Sequence, residues 1–83
     1  MALKIHRRSD DFTFIPNALI MNENISPQAK LVYMSVANRR QHGEPDPTPE
    51  VIAAETSLNV TAVEIAEKEL NDLPDAEWER MQL

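Results

Sequence analysis

The sequence contains no cysteine and a single glycine. The first absence excludes disulfides and thiolate metal sites, and the second excludes a glycine-rich phosphate loop. No apolar run approaches the roughly 20 residues that a membrane span needs. The basic residues near the N-terminus are not followed by the apolar stretch of a signal peptide. We therefore expect a cytoplasmic protein that does not act on membranes.

Residues suited to catalysis are also few. The two histidines are His6, near the N-terminus, and His42, near the end of a predicted helix. No serine, histidine or acidic residue stands at a spacing typical of a nucleophile and its base. The sequence predicts no enzyme, no cofactor, no metal and no small-molecule substrate. Three acidic residues at near-helical spacing predict a solvated helix face: Glu64, Glu67 and Glu69.

Charge is distributed unevenly along the chain. The 83 residues, 42% hydrophobic and 27% charged, suit one folded domain with a net charge of −6. Residues 1–43 carry a net +3, whereas residues 44–83 carry a net −9. An acidic surface of this kind repels phosphate and attracts basic partners, and it also has the simpler role of keeping a protein soluble.

The first half predicts one long helix. Ser26 and Pro27 form a helix start, and an apolar stripe with helical spacing follows until Gly43 can end the helix, giving about residues 26–42. Before it, Phe12 and Phe14 alternate in a short extended segment. Pro16 then opens a short helix over residues 17–21.

The second half predicts three further short helices. Thr48 and Pro49 repeat the helix start, which predicts a helix over residues 49–56. After a turn at 57–59, Asn59 caps a helix over about 60–72. Residues 74–83 form an acidic helix or a frayed tail. The predicted organisation is a basic arm at 1–11, a domain at 12–73 and this C-terminal segment.

The expected fold is mostly α, a small bundle of four to five short helices with a short N-terminal extended segment. The helical stripes predict which side chains form its core. These are Phe14, Ile15, Leu19, Ile20, Val32, Tyr33, Val36, Ile52, Ala53, Leu58, Val63, Ala66 and Leu70.

The order of short helices resembles a known DNA-binding arrangement. Thr48-Pro49-Glu50-Val51-Ile52-Ala53, Ser57-Leu58-Asn59 and the later Ala62-Val63, Ala66 and Leu70 are similar to the helix-turn-helix of winged-helix domains. Phe14-Ile15-Pro16-Asn17-Ala18-Leu19-Ile20 and Ala29-Lys30-Leu31-Val32-Tyr33 resemble the N-terminal domains of phage and plasmid replication proteins. The resemblance covers residues 12–73. It implies a small regulatory protein of transcription or replication, in a bacterial cell if phage-encoded.

The sequence departs from this pattern in three ways. The outer positions of the second motif helix are Val60, Thr61, Glu64, Ile65 and Lys68. Lys68 alone among them is basic, although such helices usually carry several residues for bases and phosphates. Ser57 stands where the turn glycine is usual, which predicts strain or an altered turn. Residues 74–79 lack the alternation of a β-hairpin, so no complete wing is expected.

Two functions remain open from the sequence. The first is duplex DNA binding through the 60–70 helix, with phosphate contacts from Lys4, Arg7, Arg8, Arg39 and Arg40. The second is a protein-binding inhibitor, adaptor or DNA mimic that places its acidic face on a basic partner. An apolar spot at Val60 and Ile65 would favour the second, unless Ile65 belongs to the core. A homodimer that buries Trp78 and Met81 is a further expectation.

Overall fold

The computed structural model describes residues 12–81, which fold into five α-helices and contain no strand. The helices are α1 (Asn17–Ile20), α2 (Pro27–Gln41), α3 (Pro49–Thr56), α4 (Val60–Asn71) and α5 (Asp75–Arg80). The expected mostly α fold is confirmed. The central layer is formed by α2, α3 and α4, which pack against one another.

Polar side chains at the predicted helix starts do cap the helices. The Ser26 hydroxyl accepts from the backbone N–H of Ala29 at 3.1 Å, and Asn59 Oδ1 accepts from that of Ala62 at 2.7 Å. Thr48 Oγ1 caps α3 in the same way. Each cap satisfies an amide that has no partner within its helix, which is why these three helices begin where they do.

The extended segment at Phe12 and Phe14 pairs with α2 rather than with a strand. The backbone N–H of Phe14 donates to Gln41 Oε1, and Gln41 Nε2 donates back to the Phe14 carbonyl, both at 2.7 Å. Asn38 Nδ2 donates to Thr13 Oγ1, also at 2.7 Å. Side-chain amides of α2 thus take the place of a neighbouring strand.

The core is contiguous and includes most of the predicted residues. Its buried members are Leu19, Ile25, Ala29, Val32, Ile52, Ala53, Val63, Ala66, Leu70 and Met81. Half-buried side chains pack around them, including those of Ile15, Tyr33, Val36 and Leu58.

Two predicted core residues lie at the surface. The side chain of Phe14 is 63% exposed, because its backbone is held to the end of α2 while the ring faces solvent. Ile20 is 51% exposed, because the four-residue α1 turns Leu19 inward and leaves its neighbour outside. Ile25, in the loop before α2, fills the core instead.

The end of the described chain packs onto the same core. Met81 is buried, and its carbonyl accepts a hydrogen bond from the Tyr33 hydroxyl at 2.8 Å. The rings of Tyr33 and Trp78 are stacked, with centroids 6.3 Å apart. Burial raises the pKa of the Tyr33 phenol. Residues 75–81 therefore form a helical turn that closes the bundle.

The turn between α3 and α4 keeps a left-handed residue without a glycine. Ser57 has φ 62° and ψ 23°, and the next amide, that of Leu58, donates to the Ala53 carbonyl at 3.1 Å. A serine is strained in this conformation, because its Cβ lies close to the following carbonyl. The turn geometry is thus preserved at an energetic cost.

Among the five helices of residues 12–81, none is long and apolar enough to cross a membrane.

Candidate functional site

The outer face of α4 is the surface that the sequence singled out. Val63, Ala66 and Leu70 point into the core, so the opposite side of the helix faces solvent. Thr61, Glu64, Ile65 and Lys68 are exposed there. These four residues are called the α4 outer face below.

The two β-branched residues on α4 have different positions. Ile65 is 65% exposed, which excludes the alternative that it belongs to the core. Val60, in contrast, is half-buried and packs against the core. The predicted apolar spot therefore consists of Ile65 without Val60.

Of the two charged side chains on the α4 outer face, one is in an ion pair and the other is not. Lys68 Nζ bonds to Asp72 Oδ2 at 2.8 Å, and this hydrogen bond and charge raise the pKa of Lys68. The Glu64 carboxylate has no hydrogen bond or ion pair with the other residues at 12–81. The face thus presents a free carboxylate, a hydroxyl and an isoleucine, with a lysine that is already paired.

The three acidic residues expected to share a solvated face do three different things. Glu64 is exposed on the outer face. Glu69 accepts hydrogen bonds from Ser26 and is part of the structure of the domain. Glu67 is half-buried and lines a cavity beside α5. The prediction of one face was wrong, because residues 67 and 69 lie toward opposite sides of the core stripe.

The two arginines predicted to contact phosphate are held by carboxylates. Arg40 makes two bonds to Asp46, at 2.9 and 2.8 Å, and these lower the pKa of Asp46. Arg39 pairs with Glu55 and lies 3.4 Å from Glu44. Either arginine must share or release its partner to bind a phosphate. The other predicted contacts, Lys4, Arg7 and Arg8, lie outside the described residues, as does His6.

Carboxylates outnumber cations over the whole described range. Residues 12–81 contain twelve acidic and five basic side chains. Four of the five cations are in ion pairs, and the fifth, Lys30, donates to the Ile20 carbonyl. Apart from Lys30, positive charge for a polyanion must therefore come from residues 1–11 or from rearranged ion pairs.

The two residues expected at a dimer joint are used within one chain. Met81 is 1% exposed and fills the core, so it is not accessible to a second copy without unpacking α5. Trp78 is half-buried against the core. Of these two residues, Trp78 is the one that keeps an exposed part for a second copy to contact.

Over residues 12–81, no group of three or more histidine, aspartate or glutamate side chains is placed to hold a metal ion. No protein-family model, characterised protein or solved structure matches the chain.

Proposed function

We propose that the protein is a small helix-turn-helix regulatory protein, of phage or mobile-element type, that acts in transcription or replication control. The observation that supports this is the α3–turn–α4 arrangement, in which a three-residue turn leads into a helix with an accessible outer face. The 12 residues of α4 make a helix about 18 Å long, which suits a DNA major groove.

The α4 outer face carries groups that can read base edges. The Glu64 carboxylate can accept from cytosine N4, and Ile65 can contact a thymine methyl group. Thr61 offers a hydroxyl to either kind of base. Phosphate contacts would come from the N-terminal arm, with Lys4, Arg7 and Arg8, and from the arginines at the end of α2.

The test is fluorescence anisotropy with mixed-sequence duplex DNA at about 50 and 200 mM salt. We expect binding that weakens steeply at the higher salt, because released counterions drive such association. Ile65→Glu should weaken binding about tenfold or more, since it places a further charge against the bases. Met21→Glu adds the same charge at a residue that is 77% exposed and lies at the end of α1 rather than on α4, and serves as its control. Absence of binding at low salt contradicts the DNA function.

The charge of the described surface supports a second candidate, a protein-binding inhibitor, adaptor or DNA mimic. An exposed isoleucine beside the free Glu64 carboxylate, on a surface whose cations are already engaged, suits a basic protein better than phosphate. We propose Glu64→Lys as the diagnostic change, because a change at Glu69 would also break its bonds to Ser26. A partner retained by the wild type and by Met21→Glu but lost by Glu64→Lys supports this candidate. A partner that Glu64→Lys still binds contradicts it.

A further inference from the structure

A cavity of about 520 Å³ opens between α2, α4, α5 and the loop that follows α2. Its floor and walls are mainly apolar and include Val36, Ile52 and Trp78. This volume is in the range of sites that hold small ligands or a few side chains. The cavity is called the α2–α5 groove below, and it is separate from the α4 outer face.

The polar groups at the rim of the α2–α5 groove are few, and they differ in whether they already have a hydrogen-bond partner. Arg40 and Asp46 satisfy each other through two hydrogen bonds, so this pair is close to neutral. The half-buried Glu67 carboxylate has no hydrogen bond or ion pair with any residue in the described range. The Asn71 amide, on the next turn of α4, is equally unengaged there. The groove therefore offers one free negative charge and one free amide beside an apolar surface.

We propose that the α2–α5 groove binds a peptide segment of a partner protein in which a large apolar side chain stands beside a lysine or arginine. The apolar side chain lies against Val36 and Trp78, and the cation meets the Glu67 carboxylate. The Asn71 amide can both donate to and accept from the peptide backbone. The acidic surface around the groove adds a field that attracts a cationic segment.

The same groups disfavour other occupants. A ligand with a carboxylate or phosphate would bring its charge against Glu67 while both lose water, which is unfavourable. A purely apolar segment would bury Glu67 without a partner, which is also unfavourable. A cation beside an apolar group satisfies both parts of the groove.

The probe is a blocked pentapeptide, acetyl-Ala-Phe-Arg-Leu-Ala-amide, and its comparison peptide has glutamate in place of arginine. Trp78 is the single tryptophan of the chain and lines the groove, so its fluorescence reports occupancy. We expect the arginine peptide to cause a saturable change in Trp78 emission. The glutamate peptide should bind at least about fivefold more weakly. No saturable change up to about 5 mM arginine peptide, or equal affinities for the two peptides, overturns the proposal.

A matched pair of variants separates the local contact from the overall charge. Glu67→Gln should weaken the arginine peptide about fivefold or more, because the cation loses its partner. Glu23→Gln removes the same charge at an exposed residue that does not line the groove and is not on the α4 outer face, and should bind like the wild type. Equal affinity for Glu67→Gln and the wild type also overturns the proposal. DNA binding by these variants is measured separately, so failure of the groove and failure of the proposed function give different results.

Discussion

Glu69 on α4 accepts two hydrogen bonds from Ser26, the residue that caps α2. Its Oε2 lies 2.8 Å from the Ser26 backbone nitrogen, and its Oε1 lies 2.7 Å from the Ser26 hydroxyl oxygen. The same hydroxyl oxygen accepts from the amide of Ala29. A carboxylate beside the N-terminus of a helix is also favourable for the helix dipole. One acidic side chain thus ties the start of α2 to α4, across 43 residues of sequence.

Replacing Glu69 should destabilise the fold. Hydrogen bonds to a charged group contribute about 1.5–3 kcal/mol, so Glu69→Ala should lower the free energy of unfolding by about that amount. Glu69→Gln keeps one acceptor and should lose less. Glu64→Gln, on the outer face of the same helix, should stay within about 0.5 kcal/mol of the wild type. Urea denaturation followed by circular dichroism measures all three, and equal stability of the two glutamine variants contradicts the structural role of Glu69.

Two methionines provide a test of how α5 contributes to the core. Met81 is 1% exposed and Met21 is 77% exposed. Met81→Ala should cost about 2–4 kcal/mol of stability, because it removes buried methylene groups and leaves a cavity. Met21→Ala is the same substitution at the surface and should change stability by less than about 0.5 kcal/mol. Similar losses in thermal or urea denaturation would mean that the end of the chain does not pack as described.

The helix starts could be predicted because their signals are local. Ser26 with Pro27 and Thr48 with Pro49 each combine a capping oxygen with a residue that suits the first helical turn. The core was less predictable at its edges. Ile25 lies in a loop and Met81 follows a six-residue helix, so neither takes part in a periodic pattern long enough to show its inward direction.

The candidate sites likewise contain some positions that the sequence predicts and others that it does not. The exposure of Ile65 follows from the helical period, because the Val63, Ala66 and Leu70 stripe defines the opposite side of α4. The roles of Glu67 and Glu69 depend on which other elements lie beside α4. Ser26 is 43 residues from Glu69 in the sequence. The α5 helix follows α4 closely, but its position beside Glu67 depends on how it packs against the core, which no local signal shows.

Acid should weaken the fold partly through Glu55. The Ser35 hydroxyl, which donates to Glu55 at 2.7 Å, and then the Arg39 guanidinium lower the pKa of that carboxyl. A carboxyl with a lowered pKa in the folded state contributes stability above its ordinary pKa, and this contribution is lost as the pH falls through the folded value. The urea midpoint should therefore decrease from about pH 5 to pH 3.

Variants at this contact assign the pH effect. Glu55→Gln should be less stable than the wild type at neutral pH, and the difference should shrink as the pH falls through the lowered pKa of the folded state and the carboxyl takes up its proton. Ser35→Ala removes the first cause of the lowered pKa of Glu55. The urea midpoint of this variant should therefore fall less between neutral and acidic pH than that of the wild type. A wild-type and Glu55→Gln difference that is constant across this range contradicts the assignment.

The left-handed serine predicts a stabilising substitution. A residue with a Cβ pays about 1–2 kcal/mol in the left-handed region. Glycine avoids this cost but loses about 0.5–1 kcal/mol through the greater freedom of its unfolded chain. Since Ser57 has φ 62°, Ser57→Gly should raise the free energy of unfolding by about 0.5–1 kcal/mol.

Two further variants at this position separate strain from loss of the hydroxyl. Ser57→Ala keeps the Cβ and should not gain stability, whereas the β-branched Ser57→Val should lose about 1 kcal/mol or more. The measurement is the urea midpoint of each variant at neutral pH. If Ser57→Gly is no more stable than Ser57→Ala, the turn is not strained at Ser57, and the α3–turn–α4 unit tolerates serine there without cost.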